Sequence, residues 1–567
     1  MADATSPSVA PRTRAVLGLA IATALSVLAF PQHTDTAGTV RVQLLAINDF
    51  HGNLEPPSGG DGRVNATPAG GAEYLATHLA RARADNPNTL IVAGGDLIGA
   101  SPLVSSMYHD EATIEAMNVM HLSLSAVGNH ELDEGAPELL RMERGGCHPV
   151  EGCAPTGRFR GAKYDYLAAN IVRTDTRKTL FPPVAIKKIG GVKIGFIGET
   201  LRGTPQIVSA KYMKDLEFLD EATTANAYAE QLTRQGVRAV VLLIHEGGRQ
   251  YQTGPVDPND CDHFSGGIDS IASRLSADIP VVVSGHNHSV YNCRLGGHLV
   301  TNSGAYGRGL TRITLDIDRA SGRIVHASAQ NETVTRDVPR DPKISRIISR
   351  YKALAEAQAS RVMGSLAADI VREPNDSGES ALGDVIADAQ LEATLGLPEG
   401  GAAVAFMNSG GIRANLVSTP RAAVKPGDLT YGDLITAQPF GNVVTLMTLS
   451  GEQVRRLLEQ QFDNPRPGST TMLQVSRGFA YRYRAKAPSG EHVERDSIQL
   501  NGRTLAPTDH VRVAASDFLF GGGDGFTVLS ESTEVVGVES DIDALTAYVT
   551  KHSPLVAGPQ NRFHRVD

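Results

Sequence analysis

The sequence has no tryptophan, an absence that bears on no function, and only four cysteines in 567 residues. It lacks the basic excess a nucleic-acid backbone binder needs, since its formal charge is −9, although a local basic pocket for a small phosphorylated ligand stays open. Cys-x-x-Cys spacing is missing, which argues against a thiolate zinc cluster. No cysteine lies near the end of the one long apolar run, so a lipoprotein anchor is not expected, and no second membrane segment lies near the C-terminus. Internal repeats and low-complexity tracts are absent.

That apolar run, Ala15–Phe30, follows Arg12 and Arg14 and reads as a secretory signal cleaved between Ala29 and Gly38. At about sixteen residues it falls short of the roughly 20 of a membrane span, although an uncleaved anchor is the alternative. The expectation is a secreted or extracytoplasmic protein without stable membrane insertion after cleavage. In that setting four cysteines suggest disulfides. Of the three pairings, Cys147–Cys153 with Cys261–Cys293 is favoured.

The chain is longer than one hydrophobic core usually supports, and 41% hydrophobic with 20% charged residues is ordinary globular composition. Apolar strand candidates run through Val42–Ile47, Thr89–Ala93, Leu122–Val127, Val192–Ile197, Ala239–Ile244, Pro280–Val283 and Leu310–Ile317. Helical spacing appears over Gly71–Ala84 and Thr223–Gln235. This alternation predicts an α/β layered domain. After Pro339 and Pro342, Lys343–Arg361 reads as a polar helix connecting two cores and as a hinge region, with a surface helix belonging to either domain as the alternative. Beyond it lie a helix over Gly383–Leu395, strands Ala403–Met407, Val443–Leu449, Gly478–Arg484 and His510–Ala515, and a helix Gly451–Phe462. The expected segments are 1–38 leader, 39–338 first domain, 339–362 connector and 363–567 second domain.

Polar clusters follow the strands of the first half: Asn48-Asp49-Phe50-His51-Gly52, Gly94-Gly95-Asp96, Gly128-Asn129-His130-Glu131, His245-Glu246-Gly247 and Gly285-His286-Asn287-His288. Any one of these histidines alone is better read as a structural loop residue. Together they form a ligand set of carboxylate, imidazole and amide without thiolate, which suits Mn, Zn, Fe or Co in a two-metal hydrolytic site. Asp133, three residues beyond His130, is placed to orient its imidazole. The second half has no such clusters.

The order Asp-x-His, Gly-Gly-Asp, Gly-Asn-His-Glu, His, Gly-His-x-His resembles the calcineurin-like metallophosphatases. Asn408-Ser409-Gly410-Gly411-Ile412-Arg413, Pro439-Phe440-Gly441 and Phe518–Phe526 resemble the second domain of the 5′-nucleotidase family. The resemblance implies a four-layer α/β/β/α metallophosphatase domain followed by an α+β 5′-nucleotidase C-terminal domain. It implies two divalent ions, one on Asp49, His51 and His288, the other on Asn129, His245 and His286, with Asp96 bridging. His288 stands where some members have Asn or Gln.

The same resemblance makes His130 and Asp133 the catalytic dyad and the attacking group a metal-bound water or hydroxide. Nucleotide contacts would come from Asn408 and Arg413, base stacking from Phe440 and Phe518, and ribose contacts from Asp524; structurally, the two rings would otherwise be core and Asp524 a turn residue. A family arginine falls at Asp376 here, leaving Arg372 as the nearest candidate. The implied reaction is hydrolysis of nucleoside 5′-monophosphates, with a 2′,3′-cyclic-nucleotide phosphodiesterase or UDP-sugar hydrolase as the alternative. A catalytically decayed nucleotide-binding surface protein is the third reading, opposed by the complete ligand set. The expected partner is a nucleotide and not a nucleic acid polymer; the oligomeric state is open.

Overall fold

The computed structural model describes residues 38–567 except 58, 210–211, 251–254, 399, 418–424 and 463–469. The expected secretory leader therefore lies outside the described residues. The first domain is built on two six-stranded sheets. One runs in the order Ile324–Thr333, Gly309–Asp318, Thr39–Ile47, Thr89–Ala93, Leu124–Ala126, Asp165–Leu167. The other runs Val290–Leu295, His298–Ser303, Val281–Val283, Ala239–His245, Val192–Thr200, Val184–Ile189.

Side-chain alternation explains the layering. In Thr39–Ile47, Val40, Val42, Leu44 and Ala46 enter the core between the sheets, where Val241 and Leu243 meet them. Leu45 and Ile47 point the other way, beneath the helices Ala72–Asp85, Glu111–Val119 and Gly135–Arg144. Val240, Leu242 and Ile244 pack outward against Glu221–Arg234 and Gly267–Ala272. Both faces of each central strand are covered, so these strands read as unbroken apolar runs. The result is the four-layer α/β/β/α arrangement.

The expected strands are present with small shifts at their ends. Both favoured disulfides form, Cys147–Cys153 and Cys261–Cys293.

The second domain is α+β. Its five-stranded sheet runs Leu473–Val475, Val404–Asn408, His510–Ser516, Val443–Ser450, Thr533–Ser540, and Phe479–Tyr483 belongs to a separate four-stranded sheet. The helix expected from Gly383 begins at Ala381 because the Ser380 hydroxyl accepts from the Gly383 amide at 3.1 Å and caps it.

The linking helix, Pro342–Ala359, differs from the polar connector its composition suggests. Ile344, Ile347, Ile348 and Tyr351 recur at three- and four-residue spacing and sink into the first core. It is a packed helix of the first domain. The domains also meet where the Ser209 hydroxyl donates to the Val538 carbonyl at 2.7 Å. A second contact brings Gly441 so close to Ala100 that an added Cβ would lie 3.1 Å from the Ala100 Cα. Ile344→Ala is expected to cost about 2–5 kcal/mol, read as a lower urea midpoint of the transition that unfolds the first domain.

Candidate active site

The clusters converge because their strands are parallel neighbours ending at one edge of the stacked sheets, where open α/β sheets gather ligands. Immediately past those ends the backbone turns back on itself. Asp49, His51, Asp96, His286 and His288 all have positive φ, between 45° and 72°. Left-handed backbone costs a residue with a Cβ about 1–2 kcal/mol. Here it is held by a ladder between loops. The amides of Asp49, His51 and Gly52 donate to the carbonyls of Gly95, Asp96 and Leu97 at 3.0–3.1 Å. The His286 amide donates to the Asp49 carboxylate at 2.9 Å.

Two side-chain groups result, Asp49 with His51 and His288, and Asp96 with His245 and His286, each with ligand atoms within 4.8 Å of one another. The Asn129 amide oxygen lies 3.1 Å from His286 Nδ1 and joins the second group. Asp96 Oδ2 lies between the groups, 2.8 Å from His245 Nε2 and 3.7 Å from His51 Nε2. All seven expected ligands are thus brought together.

His51 Nδ1 lies 2.9 Å from the Gly99 carbonyl, and His245 Nδ1 lies 2.9 Å from that of Gly94. Only a protonated Nδ1 satisfies a carbonyl, so both rings turn Nε2 inward. The His51 Nε2 faces His288 Nε2 at 2.9 Å. The His245 Nε2 is buried, has no hydrogen-bond partner and faces the Asp96 carboxylate. Acceptors aimed at one another in a buried space fit divalent cations.

The electrostatics divide the rings: burial opposes charge on His245, yet the adjoining Asp96 raises its pKa to about 9. Burial holds the His51 imidazole down at about 4 and His286 at about 3, the latter helped by His245, so both stay neutral donors of lone pairs. Burial raises the Asp49 carboxyl to about 7, against the pull of His245. Burial would also raise Asp96, but His245, His130 and His51 outweigh it and hold that carboxyl far below its ordinary value.

His130 stands beside the ligand groups, with a ring nitrogen within 4.8 Å of ligand atoms of His51 and Asp96. Its Nδ1 donates to Asp133 Oδ2 at 2.8 Å, and its ring centre lies 5.1 Å from that of His51. Burial opposes its charge, yet Asp133 and Asp96 hold it well above the ordinary histidine value.

Three supporting residues lay outside the sequence reading. Glu131 accepts from the amides of Asp96, Leu97 and Gly128 at 2.9, 2.8 and 2.6 Å and pins two ligand loops together. Asn48 donates to Asn302 and Gly304 and receives Ser303. Both stand within the quoted clusters, the only local signal for them. Tyr306, whose hydroxyl lies 3.2 Å from His288 Nδ1, comes from another loop with no motif around it.

In the second domain, Asn408 Nδ2 donates to Asp524 Oδ2 at 2.7 Å. The Arg413 guanidinium lies 5.6 Å from the Phe440 ring centre. Phe518 is 42% exposed, and its ring covers Gly523 so closely that an added Cβ would lie 2.5 Å away. The neighbouring Asp517 carboxylate accepts from the amides of Val443 and Phe518. Burial raises its pKa to about 6, against the opposing pull of the His130 charge. Arg372 donates to the Ile412 carbonyl at 2.8 Å, beside Arg413. The stretch Asn375–Glu379 is a closed turn in which Asn375 Oδ1 accepts from Ser377 and Glu379.

Residues 42–290 match the calcineurin-like phosphoesterase family, and residues 357–531 match the 5′-nucleotidase C-terminal domain. A cell wall protein of Listeria monocytogenes is 32% identical over 90% of this chain and 67% of its own. The chain belongs to the 5′-nucleotidase family. Its members are metal-dependent phosphoesterases, and this chain is such a hydrolase. An endonuclease, YhcR, of Bacillus subtilis is 33% identical over 74% of this chain, which spans only 33% of that protein's length. The crystal structure of a 5′-nucleotidase precursor from Thermus thermophilus superposes with a TM-score of 0.57 at 25% identity, covering 93% of this chain and all of that one.

Gly128→Ala tests the ligand loops, because an added Cβ would lie 2.0 Å from Asp96 Oδ1. Metal affinity is expected to fall about 10–100-fold by elemental analysis, with the far-ultraviolet circular dichroism unchanged.

Proposed function

We propose that this family member is an exported phosphohydrolase that splits nucleoside 5′-monophosphates into nucleoside and orthophosphate at two divalent ions. The observation that carries the reading is the Asp96 carboxylate held between two inward-facing imidazole groups, with the His130–Asp133 pair beside it. Residues 39–338 carry the metal site and 363–567 the nucleotide site, joined by 339–362, whose helix Pro342–Ala359 packs on the first domain. Asp49, His51 and His288 hold one ion, Asn129, His245 and His286 the other, and Asp96 both. When bound, such ions polarise a phosphoryl oxygen and make water acidic enough to attack at neutral pH. Their identity stays within Mn, Zn, Fe or Co.

The protein's own groups then act on the phosphoryl group. His130, fixed through Nδ1 by Asp133, donates from Nε2 to an equatorial oxygen as charge grows there. Arg413 and Asn408 bind phosphate and nucleoside, with Arg372 behind Arg413 as a supporting cation. Phe440 and Phe518 stack on the base, which predicts weak discrimination among bases. Asp524 accepts from the ribose hydroxyls.

Export is supported by the leader and by the Listeria cell wall relative. No described helix is long and apolar enough to cross a membrane.

Phosphate release from AMP, compared with bis(4-nitrophenyl) phosphate in added Mn, tests the substrate class. Faster turnover of the diester and none of AMP would replace the monoesterase reading with the phosphodiesterase one. His130→Ala is expected to lower kcat about 100-fold or more at unchanged metal content; loss of metal would make His130 a ligand instead. Chelation should abolish hydrolysis and added Mn restore it.

A further inference from the structure

A cavity of about 510 Å³ opens beside the metal-ligand groups. His288 forms the inner wall of the cavity, and its side chain is 36% exposed there.

The wall carries unmatched positive charge. Arg308 is seated by donating from Nε to the Ala305 carbonyl at 3.1 Å, with its guanidinium 5.3 Å from the centre of the Tyr306 ring. Arg63, in the short hairpin strand Arg63–Val64, has an exposed side chain whose one hydrogen bond among the described residues is to the Ala66 carbonyl at 3.5 Å. Neither forms an ion pair among the described residues. Glu332 is the one carboxylate in the wall, and Arg312 holds it at 2.8 Å. Asn65 is already paired with the Val256 backbone, and Gln250 donates to the Val290 carbonyl. Asp61 nearby acts on Tyr306 in opposition to Arg308. Arg308 also donates from Nη1 to the Arg63 carbonyl at 3.4 Å, and guanidinium groups outside any ion pair suit phosphate, whose oxygens accept two charge-assisted bonds from one planar fork.

We propose that Arg63 and Arg308 form a phosphate subsite in the cavity beside His288. It holds a phosphate group one step out from the metal centre. The group has two sources, orthophosphate leaving after hydrolysis or a second phosphate carried by the substrate. The choice between them rests on the phosphohydrolase reading above.

Equilibrium dialysis of the metal-loaded protein against labelled orthophosphate tests the subsite directly. Arg63→Ala/Arg308→Ala is expected to weaken one class of binding about tenfold, with metal content unchanged. Arg308→Lys should recover part of it, and Arg63→Ala alone, at an exposed side chain, guards against a folding artefact. Kinetics separate the sources. If orthophosphate is the occupant, its inhibition constant against AMP rises about tenfold in the double variant. If the substrate supplies the phosphate, the ratio of kcat/KM for ADP to that for AMP falls instead. Wild-type phosphate binding, inhibition and substrate ratio in the double variant would together overturn the proposal. Were the wild-type protein inactive on AMP, the dialysis would still decide the subsite while the substrate reading fell.

Discussion

A carboxylate buried away from water must find opposite charge, and Asp96 is such a group. It is met by His245 at 2.8 Å and His51 at 3.7 Å, and the His130 amide donates to its other oxygen at 3.0 Å. Those partners come from the ends of three different strands in two different sheets. The sandwich has to bring the two sheet edges together for the charge to be tolerated. Fold and chemistry therefore share one constraint.

That constraint is kept by backbone more than by side chains. Ligands in left-handed conformation would relax if their loops were free, so the amide–carbonyl ladder between Asp49–Gly52 and Gly95–Leu97 carries the strain. Glu131 closes the same structure from below by collecting amides of the Asp96 and Gly128 loops. The glycines there are matters of space: Gly95, Gly99 and Gly128 leave no room for a Cβ beside His245, His130 and Asp96. The site is preorganised because its support comes from neighbouring loops. Metal-centre chemistry depends on such rigidity.

Most of the first domain was legible because strands covered on both faces leave continuous apolar runs, and five of the seven runs end in a polar cluster. The helix Pro342–Ala359 was less legible. Its four buried residues are diluted by lysine and arginine, and composition masks the spacing that packs it against the first core. The second domain's groups were found through motif resemblance alone, since Phe440, Phe518 and Asp524 have no periodicity that separates a stacking ring from a core ring. Tyr306 and the arginine pair Arg63 and Arg308 left no local mark, because they converge from separate loops.

By itself the sequence determined the order of strands, the strand-end ligand types and the pairing of His130 with Asp133, all consequences of spacing within one segment. The family resemblance implied which ligands share a group; only the tertiary structure decided which nitrogen His51 and His245 turn inward. It also decided that an arginine-lined cavity opens beside His288. Those facts depend on contacts between residues far apart in the chain, such as Asn48 and Ser303, which are 255 positions apart. Only the packing of one sheet on the other makes such contacts.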